Sequence, residues 1–364
     1  MRFQFLLIAF VVAAGLVRSV FAAQYLLTDL GVPAGYQQSD AYGINNAGQV
    51  VVTATLTNPD ARHGAFIYQN GSYQNLGTLG GDYTTAVAIN TAGEVTGESW
   101  TTGDAASHAY LFSNGTMQDL GTLGPGNSAG TAINSAGQVV GRSDLGVNSL
   151  SHGFLWSNGH MADLGGIGGR NSTASGINSA GQVVGSGTVP SGAGVFYPFL
   201  FGATITELDS VEGYASAIND ASQIAGATTG GNNSLAVLYA GGAGGPVTNL
   251  GTLGGVRSSA DAINSSGIVV GVSDTKSSGS HAFVLSQNGA MLDLNGLIPA
   301  RSGWVLREAR GINDQGEIVG YGTNPTGQTD AFLLTPVPAP EPSTIGGELL
   351  ALALMFRRHR RSAD

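Results

Sequence analysis

Four histidines, His63, His108, His152 and His281, each stand two or three residues ahead of an aromatic ring. A histidine that recurs in this way is a candidate metal ligand or general base. Four aspartates, Asp29, Asp119, Asp163 and Asp293, each precede a leucine, while Glu94, Glu98, Glu207, Glu212 and Glu308 break the surrounding pattern. Paired carboxylates could carry acid–base chemistry, but catalysis needs one asymmetric site, and no partner for these glutamates is evident. The histidines occupy equivalent places far apart in the chain, with no acidic residue at helical or hairpin ligand spacing. They are therefore assigned to hydrogen bonds between neighbouring structural units. The expectation is a chain with no catalytic residue, no metal ligand and no cofactor, hence not an enzyme.

The elements that position these residues repeat. An Ile-Asn pair recurs with its asparagine at Asn45, Asn90, Asn134, Asn178, Asn219, Asn264 and Asn313, in steps of 45, 44, 44, 41, 45 and 49 residues. Such a period signals a repeat architecture. Each asparagine opens an Asn-x-x-Gly turn, in which Asn bonds back to the backbone and Gly takes the positive φ that closes a hairpin with a bulge. Ser222 replaces that glycine once, so its turn is expected to be strained or of another type. The turn role of the seven asparagines is preferred to cation ligation, because no carboxylate accompanies them at ligand spacing.

Four strand-length segments fill each repeat. The one before the asparagine is built from small residues, such as Ala174-Ser175-Gly176, and is placed innermost. The next, such as Gln138-Val139-Val140-Gly141, fills the space between sheets. The third carries an aromatic or apolar anchor 18 to 21 residues after the asparagine, and the fourth ends in Leu76, Leu120, Leu164, Leu208, Leu250 or Leu294. Four strands in about 45 residues is the size of a β-propeller blade.

The first segment, Tyr25 to Gly31, matches the fourth strand, and the last, Asp330 to Thr335, matches the third. The fold class read from this is all-β, a seven-bladed β-propeller of four-stranded blades closed by the N-terminal strand. An open β-repeat solenoid is the alternative. The domain division is 1–22, 23–336 and 337–364.

Composition narrows the function. Cysteine is absent, so no disulfide or thiolate site contributes. Six of the 14 basic residues and three of the 24 acidic ones lie in the end segments, leaving 8 basic and 21 acidic residues and a charge of -13 on the body. That surface repels phosphate backbones, which excludes nucleic acid as an expected partner. The unequal polar loops, including the one with Trp100, are where a sugar could stack.

The ends read as addresses. Residues 1–22 combine Arg2, an apolar run and Val20-Phe21-Ala22, a secretory signal peptide cut between Ala22 and Ala23. At the other end Pro340-Glu341-Pro342 is followed by Ile345 to Phe356 and the cluster Arg357-Arg358-His359-Arg360-Arg361. This order resembles the PEP-CTERM sorting signal, with Pro340, Glu341 and Pro342 carrying the match. The apolar part has 12 residues and includes Glu348, short of the roughly 20 that a spanning helix needs.

The resemblance implies transient membrane association through residues 345–361 and processing by an exosortase-type enzyme after signal peptidase. Its implied location is the cell envelope or the exterior. The segments with His281-Ala282-Phe283 and LGTLGG, over roughly residues 24 to 335, resemble the HAF extracellular repeat family. That resemblance implies an exported protein with a structural, adhesive or binding role. The alternatives are a glycan-binding propeller, with exopolysaccharide as a partner, or a polysaccharide-processing enzyme.

Overall fold

The computed structural model describes residues 24–337, apart from 57–61, 147–149, 167–169, 190–194, 203–204, 210, 231–232, 242–243, 278 and 287. The signal segment with Ala22 and Ala23, and the segment with Pro340, Glu341 and Pro342, lie outside the described residues. Among the described residues the regular structure is β-strand, with two single-turn 3₁₀ segments, Thr102–Asp104 and Leu294–Gly296.

The strands form antiparallel groups of four. The third group shows the order: Ser128–Ile133, Val139–Asp144, Ser151–Ser157 and His160–Gly165 pair in sequence. Similar groups start with the inner strands Gln38–Ile44, Gly80–Ile89, Ser172–Ile177, Gly213–Ile218 and Gly254–Ile263. Two neighbouring pairs of groups are joined by a single parallel pairing each, His63 with Tyr83 and Ser234 with Arg257.

The last group is assembled from both ends of the chain. Val305–Ile312, Ile318–Thr323 and Thr329–Pro336 pair in order, and Tyr25–Gly31 completes them. Leu27 faces Leu334, and Asp29 faces Phe332. Leu30 is buried with Ala41, Val50, Val52, Val319 and Ala331, so one core cluster unites the first and last parts of the body. Without disulfides, burial of such apolar surface is what stabilises the joint.

The first three residues of the second strand are buried in every group, as in Val50–Thr55, because neighbouring sheets cover both faces there. Six of these seven strands carry a glycine as their third residue, where the first has Val52, and that glycine has a steric cause. A Cβ on Gly141 would lie 1.9 Å from the Ala129 carbonyl oxygen, and one on Gly185 equally close to that of Thr173. Only glycine admits that approach.

The approach goes with an irregularity of the inner strand. In all seven inner strands the register slips by one residue, passing over Tyr42, Val87, Thr131, Ser175, Ser216, Asp261 and Arg310 in turn. A bulge leaves its extra residue unpaired and re-aims its side chain. All seven of these residues line one common cavity.

Candidate functional site: the central cavity and its charged wall

The cavity has a volume of about 540 Å³. The four bulge residues Val87, Thr131, Ser175 and Ser216 give it an uncharged wall, whereas Asp261, Arg310 and Tyr42, from three consecutive inner strands counting across the joined ends, give it a charged one. Glu308 lines the same wall, and Asp40 stands beside it.

Arg310 organises the wall. Its Nε donates to Glu308 Oε1 at 2.9 Å, and its Nη1 lies 3.8 Å from Asp40 Oδ2. The guanidinium carbon is 4.3 Å from the Tyr42 ring centroid and 4.8 Å from that of Tyr321, so the cation sits between two aromatic faces. Burial opposes its charge, but Glu308, Tyr42 and Asp40 outweigh that, and its pKa is raised. Glu308, unpaired in the sequence reading, is thus paired through the residue two places on.

Asp261 is held differently. Its Oδ1 accepts from Ser259 Oγ at 2.5 Å, and Ser259 Oγ is also 3.2 Å from the Tyr214 hydroxyl. Its Oδ2 is sealed from solvent with no hydrogen-bond partner. Burial, helped by the charge of Glu308 and opposed by Ser259 and Arg310, pushes its pKa up to about 7. Burial, with Glu308 adding and Arg310 opposing, also raises Asp40, whose Oδ1 likewise has no partner.

A second charged group flanks the first. Burial raises Glu98 against the opposing Arg142, Ser107 and Tyr83. Tyr83 is pushed up to about 12 by burial, then by Glu98 and Tyr42. Its ring stacks on Trp100 at 5.4 Å and 26°, and lies 4.5 Å from the His63 ring. Trp100 is exposed.

The repeated polar residues are consumed by the scaffold. Each of the seven asparagines is buried and accepts, through its side-chain oxygen, the N–H four residues on. Its Nδ2 donates to the backbone oxygen of the next asparagine: Asn45 to Asn90, Asn90 to Asn134, Asn134 to Asn178, Asn178 to Asn219, Asn219 to Asn264, Asn264 to Asn313, and Asn313 back to Asn45. Seven bonds of 3.0 to 3.2 Å form a cycle. The Asn219 turn has the same backbone bond as the others, with Ser222 at φ 57°, so the departure lies in a strained residue and not in another turn type.

The histidine assignment needs correcting. His108 Nδ1 lies 2.9 Å from Asp119, His152 Nδ1 2.9 Å from Asp163, and His281 Nδ1 2.7 Å from Asp293. Each pair links the third and fourth strands of one group, so the bonds run within units and not between them. The cause is the hairpin: Asp119 faces Tyr110, two places beyond His108, so a separation of 11 residues in sequence becomes side-by-side contact. His63 instead contacts Thr55 Oγ1 at 3.3 Å. Asp29, Asp119 and Asp163 also accept the N–H two residues on, which turns the chain at a positive-φ glycine.

Besides the asparagines, serines that the sequence reading missed bridge the units. Ser128 Oγ donates to Gly121 O and accepts from Ala109 N, and Ser172 and Ser258 repeat this with their preceding groups. Ser39 makes the same two bonds to Gly31 O and Ala331 N, one from each end of the chain. These serines stand six residues before an asparagine, and the cavity-lining bulge residues stand three before one. Those fixed offsets were the available signal.

Among the described residues no group of three His, Asp or Glu side chains could hold a metal ion. No protein-family model and no curated protein sequence matches the chain. Solved structures do. The β-propeller domain of the Trilobed protease from Pyrococcus furiosus, which has an open velcro topology, is similar at TM-score 0.58 and 10% identity, over 83% of this chain and 94% of that one. A puromycin-hydrolyzing peptidase from Mycobacterium tuberculosis matches at TM-score 0.54 and 10% identity, over 88% and 54% of the two chains. The acylaminoacyl peptidase of Pyrococcus horikoshii gives TM-score 0.53 and 10% identity, over 88% and 55%. This chain spans about half the length of those two peptidases. At such identities the likeness shows the fold alone: an all-β chain on a β-propeller scaffold.

Proposed function

We propose that this chain is an exported cell-envelope or extracellular-matrix protein, a seven-bladed propeller closed by its N-terminal strand, with a structural, adhesive or binding role. The observation that carries this reading is a division of labour among polar residues. Those that repeat, the asparagines, serines and His–Asp pairs, are spent on the scaffold, while Asp40, Tyr42, Asp261, Glu308 and Arg310, which break the repeat, gather at the cavity. A scaffold with a single asymmetric polar wall is suited to holding something, and the reading assigns no catalysis.

Support for closure comes from equivalence. Ser39 bridges the two chain ends as Ser128 bridges consecutive groups, and the asparagine cycle passes from Asn313 to Asn45 with the geometry of its other six steps. Support for export is the order of segments at the two ends, which resembles a signal peptide and a PEP-CTERM signal on a HAF-type body. Signal peptidase and an exosortase-type enzyme are the processing partners in this reading, and exopolysaccharide is a candidate ligand of the mature surface.

Cell fractionation with mass spectrometry of the termini tests the address. The expected chain begins at Ala23, ends near Pro340 to Pro342 and is found outside the cytoplasm. A cytoplasmic chain retaining residues 1–22 and Arg357 to Arg361 would contradict export.

A further inference from the structure

The charged wall of the cavity has more negative charge than its own cation can balance. Among the described residues, Asp40, Asp261 and Glu308 stand against one cation of the wall, Arg310. The Nε of Arg310 is committed to Glu308, its rings are Tyr42 and Tyr321, and its distance to Asp40 is long. Asp261 lines the cavity and receives only the Ser259 hydroxyl; its other oxygen is sealed from solvent without a partner, as is Nη1 of Arg310. A buried carboxylate oxygen without a hydrogen-bond partner is costly, which is why such an arrangement calls for an explanation.

Ligand classes can be sorted by that imbalance. An anion meets net repulsion from three carboxylates. A divalent metal needs carboxylates converging on one point, but Arg310 stands among them, adjoining both Glu308 and Asp40. A neutral sugar satisfies hydrogen bonds and leaves the charge unbalanced. An ammonium group supplies both donors and charge, and a compact polar body would meet Ser175 and Ser216 on the uncharged wall.

We propose that this wall binds a compact organic ammonium ion, a small amine or amino sugar, with its charge directed to Asp261 and Glu308. This deepens the binding role proposed above and rests on it, but not on export. The groups around Asp261 are Ser259 of its own strand, Tyr214 of the preceding inner strand, and Glu308 and Arg310 of the following one; Asp40 and Tyr42 lie beyond Arg310. Burial holds Asp261 half-protonated near neutral pH, and a cation beside it lowers its pKa, so binding expels a proton.

Calorimetry of the full chain at pH 7, in two buffers of different ionisation enthalpy, reads both affinity and proton release. The probes are glucosamine, lysine amide, N-acetylglucosamine and calcium chloride. At least one of the two amines is expected to bind with net proton release, about tenfold or more tighter than N-acetylglucosamine. The stronger amine identifies the source as sugar or amino acid. Asp261→Asn is expected to abolish the proton release and weaken binding about tenfold, with thermal melting checked alongside.

Should that variant fail to fold, ring signals of labelled tyrosines in the unaltered chain take its place, with Tyr42 and Tyr321 expected to shift on amine addition. Neither amine binding, equal binding of N-acetylglucosamine, calcium binding in preference to both, proton release that survives Asp261→Asn, or tyrosine shifts confined to other rings would each overturn the proposal. None of those outcomes alters the fractionation result, so loss of the ligand and loss of the address are told apart.

Discussion

Asp261 shows how one residue sets a property of the whole chain. Its folded pKa of about 7 lies above its ordinary value of 3.8, so the folded state keeps a proton that the unfolded state releases. Stability from this group is therefore fully present below about pH 4, falls as pH rises towards 7 and is flat above. Asp40, Glu98 and Asp330, raised by burial, act in the same sense. Asp314, lowered chiefly by its hydrogen bonds to Ser265 and Asn46, acts in the opposite sense in acid. Asp261→Asn is expected to melt several degrees higher than the parent at pH 8 and close to it at pH 4, with a shallower slope between. Thermal melts across that range check it, and an unchanged slope would contradict the raised pKa.

The residue scale is also where sequence reading was weakest. The Asn-x-x-Gly turns were legible because both the turn's donor and its positive-φ residue have compositional signatures. The His108–Asp119 contact was not, because proximity across a hairpin depends on a register that alternation alone does not fix. Glu308 stood without a visible partner because the register shifts on either side of it break the regular alternation from which the place of Arg310 would be read.

At the scale of elements, the strand Tyr25–Gly31 carries the argument. The sequence placed it as a fourth strand by its pattern of Leu30-Gly31, and it lies antiparallel to Thr329–Pro336. Its Leu30 is buried, as are Leu76, Leu120, Leu164, Leu208, Leu250 and Leu294 at the matching position. If the strand is an integral part of its sheet, Leu30→Ala and Leu120→Ala should destabilise alike, each by about 2–5 kcal/mol. Denaturant unfolding of the two variants makes the comparison. A Leu30→Ala loss below ~0.5 kcal/mol beside a large Leu120→Ala loss would make the N-terminal strand an accessory.

Strand existence and order were readable because each segment is short, apolar and bounded by Gly, Asn or Ser. The inner-strand bulges were not readable as bulges. They cost one residue in a run of small side chains, where an extra alanine or serine leaves no mark on the hydrophobic pattern. Those bulges present the cavity wall, so the candidate site stayed hidden while the scaffold around it was visible.

For the whole molecule, the proposal is a body closed as a ring by a non-covalent joint, and the seven asparagine bonds and the pairing of Tyr25–Gly31 with Thr329–Pro336 are what support it. A ring lacking one outer strand exposes a sheet edge and opens a core cluster that contains Leu30, Val50 and Val319. The C-terminal segment beyond Pro338 makes no comparable demand in this account.

Thermal melting of two truncated chains, one lacking Tyr25 to Gly31 and one ending at Pro338, against the parent body tests this most directly. The account predicts that the first loses its cooperative transition or aggregates, while the second melts with the parent. Equal melting temperatures for all three would show that the ends of the chain do not close the fold.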